Sequence, residues 1–134
     1  MGAVPIPASL ENAPRLIPLK AMEDLISWSD FEKVEMRIGT IIEVSDFPEA
    51  RTPAYQLKID FGKDVGLKKT SAQITRRYSK EEMLNRQIVA VENLPKKQIA
   101  NFMSECLVLG AVGPENDIVL LNPDFQVENG LRIG

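Results

Sequence analysis

Eight basic side chains, Lys68, Lys69, Arg76, Arg77, Lys80, Arg86, Lys96 and Lys97, fall between residues 66 and 100, against three acidic residues in the same span. The chain as a whole carries a formal charge of −3, so its positive charge is concentrated in one segment. Lysine holds phosphate as a point charge and arginine through a planar fork of donors, so such a segment can present a phosphate-binding face. A solvated polar surface accounts for most charge runs and is the competing reading. The flanking segments, 23–65 and 101–134, are both acidic, so the chain is not built to coat nucleic acid over its whole surface.

Other chemistries find little support. Histidine is absent, which removes histidine general acid–base catalysis, the Ser-His-Asp and Cys-His nucleophile systems and most zinc sites. The single cysteine, Cys106, opens the apolar run Cys106-Leu107-Val108-Leu109 with no basic neighbour to lower its pKa. It reads as a buried, inert thiol. Asp60, Asp64, Glu81 and Glu82 match no calcium-loop spacing. No catalytic residue, metal site or cofactor is expected. A lone cysteine cannot staple the fold, so a reducing, cytoplasmic compartment is the expectation. The apolar runs are too short to cross a bilayer.

Two classes of element must position these residues. Residues 1–24 hold four of the nine prolines and keep no helical or alternating period, the pattern of an extended arm. It reads either as a natural extension or as an appended tag or fused peptide, and its stretch Leu16-Ile17-Pro18-Leu19-Lys20 has the character of a ligand peptide. Residues 25–134 carry the globular pattern. Ser29 and Glu32 have the spacing of a capping box. Met36 to Val44 is a long β-branched run in which Gly39 marks a bulge or sharp bend. Tyr55 to Phe61 alternates apolar and polar without exception, so Tyr55 and Phe61 belong to a buried face. Gly62 and Gly66 bracket a turn. A third strand is expected over 67–74, a helix capped by Ser79 and Glu82 next, then strands over 87–94, 106–112 and 117–121. A barrel of five strands with a helix between the third and fourth is the Greek-key OB-fold arrangement, an all-β class; other small barrels and β-sandwiches usually lack that helix.

The aromatic residues do not point to generic single-strand binding, which uses stacking platforms. Phe102 lies in a polar loop over 98–105, where it either anchors the loop to the barrel or lines a groove with Met103, whose thioether adapts to varied apolar partners.

A series of collinear motifs resembles the CsaA proteins: Asp30-Phe31-Glu32-Lys33-Val34-Glu35-Met36-Arg37-Ile38-Gly39-Thr40-Ile41, Phe47-Pro48-Glu49-Ala50-Arg51, Lys58-Ile59-Asp60-Phe61-Gly62, Ser71-Ala72-Gln73-Ile74-Thr75, Asn93-Leu94-Pro95, and Ser104 through Gly110. The resemblance covers the chain from about Ser29 onward and leaves out the proline-rich arm. It implies a tRNA-binding-type OB-fold domain, related to those appended to some methionyl-tRNA synthetases and to the phenylalanyl-tRNA synthetase β chain. It further implies a homodimeric chaperone that assists export of unfolded preproteins, with tRNA binding as an additional activity. Arg37, Ser71, Asn93, Ser104 and Glu105 match the family's shared surface motifs. Ser71-Ala72-Gln73-Ile74 has the CsaA form and not the synthetase-appendage form, which favours the chaperone branch.

Two sets of site residues follow. For an extended peptide, Phe102, Met103 and Ser104 would contact the client while Arg37, Lys96 and Lys97 meet acidic groups or free carbonyls. For tRNA, Lys68, Lys69, Arg76, Arg77, Lys96 and Lys97 would position phosphates while Ser71, Asn93 and Ser104 supply hydrogen bonds. The segments 25–31 and 118–133 are the expected homodimer surface, since pairing would cover strand edges and apolar area. Closing the barrel ends is the alternative role for both.

Overall fold

The computed structural model describes residues 24–134, so the proline-rich segment lies outside the described residues but for Asp24. It separates into two compact units, one ending at Lys33 and one running from Val34 to Gly134.

Within the described part of the first unit there is one helical turn, α1 (Trp28–Lys33), which buries none of its residues. Its cap is set two residues earlier than the sequence pattern indicates. The Asp30 amide donates to Ser27 Oγ (2.9 Å) and the Ser27 amide to Asp30 Oδ2 (3.4 Å). The same reciprocal logic operates, with Ser27 and Asp30 in the roles expected of Ser29 and Glu32.

The second unit is built on a five-stranded antiparallel sheet of order β3-β2-β1-β4-β7, with β1 at Met36–Asp46, β2 at Tyr55–Asp60, β3 at Leu67–Ala72, β4 at Gln87–Val91 and β7 at Leu107–Val108. β1 is long because it serves two neighbours: its first half, Met36 to Thr40, pairs with β4, and its second half, Thr40 to Asp46, pairs with β2. One extra residue, Ile42, interrupts the β2 register, opposite the step from Ile59 to Lys58. The bulge therefore falls at Ile42 and not at Gly39, and it increases the local twist that curls the sheet. Gly39 has a different reason. A Cβ there would stand 2.5 Å from Ile59 Cγ2 and 2.9 Å from the Phe61 ring, so only a hydrogen lets the strands close over the core.

The alternation of β2 is realised in full: Tyr55, Leu57 and Ile59 are buried, as is Phe61 beyond the strand. With Ile41, Ile74, Met83 and Ile88 they form the core of the barrel. Between β3 and β4 runs the short helix α2 (Lys80–Met83), whose capping box is formed by Ser79 and Glu82 and whose Met83 plugs the barrel interior. The turn after β2 places Gly62 at φ +89° and Gly66 at φ +86°, the left-handed region that favours glycine.

Two more ribbons complete the unit. β5 (Lys97–Ile99) and β6 (Phe102–Ser104) make a hairpin where the sequence suggested an irregular loop. β8 (Gly110–Val112) pairs with β9 (Ile118–Leu120). The strand expected over 106–112 is broken because the chain changes partner at Leu109, pairing with β4 before it and β9 after it. β3 stops at Ala72, although Ile74 still reaches the core. β4 stops at Val91, where the Glu92 carbonyl is taken by Lys68 Nζ at 2.8 Å. The C-terminal segment then runs along the first half of β1, through Ile38 N to Leu131 O (2.9 Å), Gly130 N to Ile38 O (2.7 Å) and Ile133 N to Met36 O (2.8 Å). An OB-fold barrel results, as the order of strands and helix indicated.

Gly39→Ala is expected to destabilise the domain by about 1–3 kcal/mol through overpacking against Ile59 and Phe61. A urea unfolding midpoint compared with wild type measures it.

Candidate binding grooves

The two edge strands of the sheet meet along a seam. The Glu105 amide donates to Lys69 O (2.8 Å), the Lys69 amide to Glu105 Oε1 (3.0 Å) and Thr70 Oγ1 to Cys106 O (2.6 Å). Thr70 has one hydroxyl proton and the Cys106 carbonyl can only accept, so Ser104 must donate across the 2.7 Å Ser104–Thr70 contact. Ser104 Oγ in turn accepts from the Ser71 amide at 3.2 Å. Thr70 and Ser104 are both buried, and Ser104 is thereby a fixture of the seam that also reaches the groove beside it. Burial pushes the Cys106 thiol up to about 12, against the opposing pull of Lys68.

Three concavities flank this seam and share Ser71 and Ile99. The first, about 620 Å³, has Leu94, Pro95, Ile99 and Leu107 on its walls and Lys96 and Lys97 at its rim. The second, about 660 Å³, lies between β5 and the 49–52 loop and is lined by Thr52, Gln73 and Gln98, with Arg51, Lys97 and Glu49 as its charges. The third, about 350 Å³, carries Leu107, Val112 and Ile118 and no charged side chain. Leu107 is half-exposed and Val112 is 79% exposed, so apolar surface faces solvent here.

The basic segment divides by partner. Lys68 sits 3.6 Å from Glu92 Oε1, Arg76 is 3.6 Å from Glu115, and Arg77 forks onto Asp117 at 2.6 and 3.1 Å. Lys80 reaches Asp46 at 2.8 Å and Lys96 reaches Glu105 at 3.6 Å. Arg77 holds the Asp117 carboxyl below its ordinary value, and Asp46 raises Lys80. Lys69 lies over the Phe102 ring at 5.2 Å and Arg86 over the Tyr78 ring at 5.1 Å. Among the described residues Lys97, Arg51, Lys69 and Arg86 form no ion pair within 4.0 Å. The sequence places eight cations in one segment; the fold gives five of them carboxylate partners.

The residues anticipated for binding are only partly brought together. Ser71, Lys96, Lys97 and Ser104 line one groove. Phe102 packs on buried Phe47, ring centroids 5.5 Å apart, and is not among the residues lining the three concavities; Met103 is part-exposed beside it. Arg37 stands elsewhere. Its guanidinium bonds Glu92 (3.1 Å), Gly130 O (2.8 Å) and Glu35 (3.4 Å), tying the C-terminal segment to the end of β4. Asn93 Oδ1 accepts from the Glu35 amide at 2.9 Å. Arg76 and Arg77 hold the turn before β9. The groove residues that sequence reading passed over are Leu94, Ile99 and Leu107. Leu94 and Leu107 read as ordinary strand residues and Ile99 as part of a polar loop; only their places on the folded surface distinguish them.

The seam and its apolar grooves define a small binding domain of the OB class. The family model described as "Putative tRNA binding domain" matches residues 36–132. Among solved structures, the chain is 47% identical to the chaperone CsaA from Bacillus anthracis str. Ames, covering 82% of this chain and 99% of that one at a TM-score of 0.79. It is 53% identical to the CsaA chaperone protein from Picrophilus torridus, covering 82% of this chain and all of that one at a TM-score of 0.77. Over 110 residues it is 36% identical to the methionine–tRNA ligase of Thermococcus onnurineus, of whose length it spans 14%. The chain belongs to the putative tRNA binding domain family and, within it, to the CsaA proteins.

Thr70→Val is expected to cost about 1–3 kcal/mol, because the buried Cys106 carbonyl loses its side-chain donor; denaturant unfolding reads the change. A thiol reagent at pH 8 is expected to leave Cys106 unmodified in the folded protein and to react at once after denaturation, since burial holds the thiol protonated until about pH 12. Fast labelling of the native protein would contradict the closed seam.

Proposed function

We propose that the chain is a homodimeric cytoplasmic chaperone, without catalytic activity, that captures extended segments of unfolded preproteins in support of their export. The observation that carries this reading is the groove beside the seam, with Leu94, Ile99 and Leu107 on its walls and lysines at its rim. An unfolded segment offers alternating side chains and an unpaired backbone, which a long apolar groove suits better than a shaped pocket does. The names of the two CsaA relatives support the chaperone part of this reading. Met103 and Ser104 stand close by as secondary contacts, with Phe102 holding the hairpin in place behind them. Export is the step that needs clients kept unfolded, and the groove is suited to that state.

Homodimerisation is supported by apolar side chains left exposed on the two segments anticipated for it. Trp28 is 87% exposed on the first, and Phe125 is 77% exposed on the second, with Val119 and Leu121 also part-exposed. Where such side chains form one contiguous patch, the patch marks an interaction site.

A second reading, a tRNA-binding module, is favoured by the matched family and by Lys69 and Lys97, which form no ion pair among the described residues. With Arg76, Arg77, Lys68 and Lys96 engaged by carboxylates or carbonyls, few cations are left for phosphates, and that is why peptide capture ranks first.

Leu107→Glu is expected to lower capture of an unfolded preprotein peptide by about tenfold or more, since burying a polar group without a partner costs about 1–3 kcal/mol and a charge costs more, with an unchanged circular dichroism spectrum. Full capture by that variant would exclude this groove. Any tRNA binding is expected to lose affinity with a log–log salt slope of about −2, as for two phosphate contacts. A slope several times steeper, abolished by Lys96→Glu with Lys97→Glu, would put tRNA first.

A further inference from the structure

The three concavities that meet at Ser71 and Ile99 differ in charge. The one formed by β7, β8 and β9 is apolar and carries no charged side chain. The concavity between β5 and the 49–52 loop, which adjoins it at Ser71, Gln73 and Ile99, brings together Arg51, Lys97 and Thr52. Across all three, the charged lining is Arg51, Lys96 and Lys97 against the single carboxylate of Glu49. Lys96 is matched by Glu105 at 3.6 Å. Arg51 and Lys97, in contrast, form no ion pair among the described residues, in a chain whose net charge is negative and whose other cations mostly have carboxylate partners. Two unneutralised cations beside an apolar trough make a surface complementary to one kind of extended chain.

We propose that the groove is charge-selective, and that its occupant is an extended peptide in which an apolar run is followed or preceded by an acidic side chain, the carboxylate meeting Arg51 and Lys97 while the apolar residues lie over Ile99 and Leu107. This rests on the peptide-capture reading and narrows it. It also sets a direction for client choice. A segment rich in lysine or arginine meets like charge at Arg51 and Lys97, so basic stretches of a client are disfavoured and acidic–apolar stretches are the ones held. Arg51 is suited to the role because its planar fork takes a carboxylate through two parallel bonds. Gln73 and Thr52 add neutral hydrogen-bonding groups in the same concavity.

The test uses the full chain and three fluorescent peptides of one apolar sequence that differ at a single flanking pair, Glu-Glu, Gln-Gln or Lys-Lys. Binding is measured by anisotropy at low and physiological salt. The expected order is acidic over neutral over basic, with about a threefold difference for each cation engaged, in the range of solvent-exposed ion pairs. The double variant Arg51→Gln, Lys97→Gln is expected to bind all three peptides alike, at the affinity wild type has for the neutral one. Because both side chains are exposed, this variant is expected to unfold at the wild-type urea midpoint. Equal binding of the three peptides by wild type would overturn charge selectivity while leaving peptide capture in place. If none of the three binds, the capture reading itself fails. If the double variant keeps the peptide order and loses only tRNA, the two cations serve phosphates and the proposal is wrong.

Discussion

Thr70 and the carbonyl of Cys106 lie 2.6 Å apart at the line where the two edges of the sheet meet, and the rest of the second unit is arranged around that contact. A five-stranded sheet that stopped short of closure would leave the outer edges of β3 and β7 open to pair with other chains. Here the Lys69–Glu105 backbone bond and the Ser71–Ser104–Thr70–Cys106 chain of hydrogen bonds join them. The seam is buried and polar at once, so each of its groups needs a partner, and each has one. Closure also fixes where the grooves lie, since Ser71 and Ile99 border all three and the β5–β6 hairpin is attached through Ser104.

Electrostatics then separates the cations by task. Arg37 and Lys68 converge on Glu92, the one buried charged residue among those described, and so stabilise the end of β4 and the C-terminal segment. A carboxylate this enclosed costs free energy unless it is paired, and two cations with good geometry offset that cost. Arg76 and Arg77 bind the turn that leads into β9. What is left for a ligand is a small residue of positive charge on one side of an apolar trough, a very different surface from the cationic face that the count of lysines and arginines suggests.

The β2 strand, the α2 capping box, the Gly62–Gly66 turn and the buried cysteine were all legible in the residues, because each depends on neighbours within a few positions. The features that were misplaced share the opposite property. Gly39 reads as a bulge or sharp bend, but its smallness answers to Ile59 and Phe61, some twenty residues on; the bulge itself is at Ile42. The strand over 106–112 was read as continuous, although it divides where its pairing partner changes. The hairpin around Phe102 carried no clear alternation, and Phe47, which anchors it, is remote in sequence.

Local pattern by itself therefore determined the class of barrel, the position of its helix, the burial of Cys106 and the residue motifs shared with the CsaA proteins. Periodicity and capping are short-range, and a reader of the chain meets them directly. Only the tertiary structure decided which cations are spent on carboxylates and which apolar residues face solvent. Lys68 and Glu92, or Arg77 and Asp117, are 24 and 40 residues apart. Charge in a sequence counts groups, whereas a binding surface depends on which groups are left without a partner once the edges of the sheet have closed.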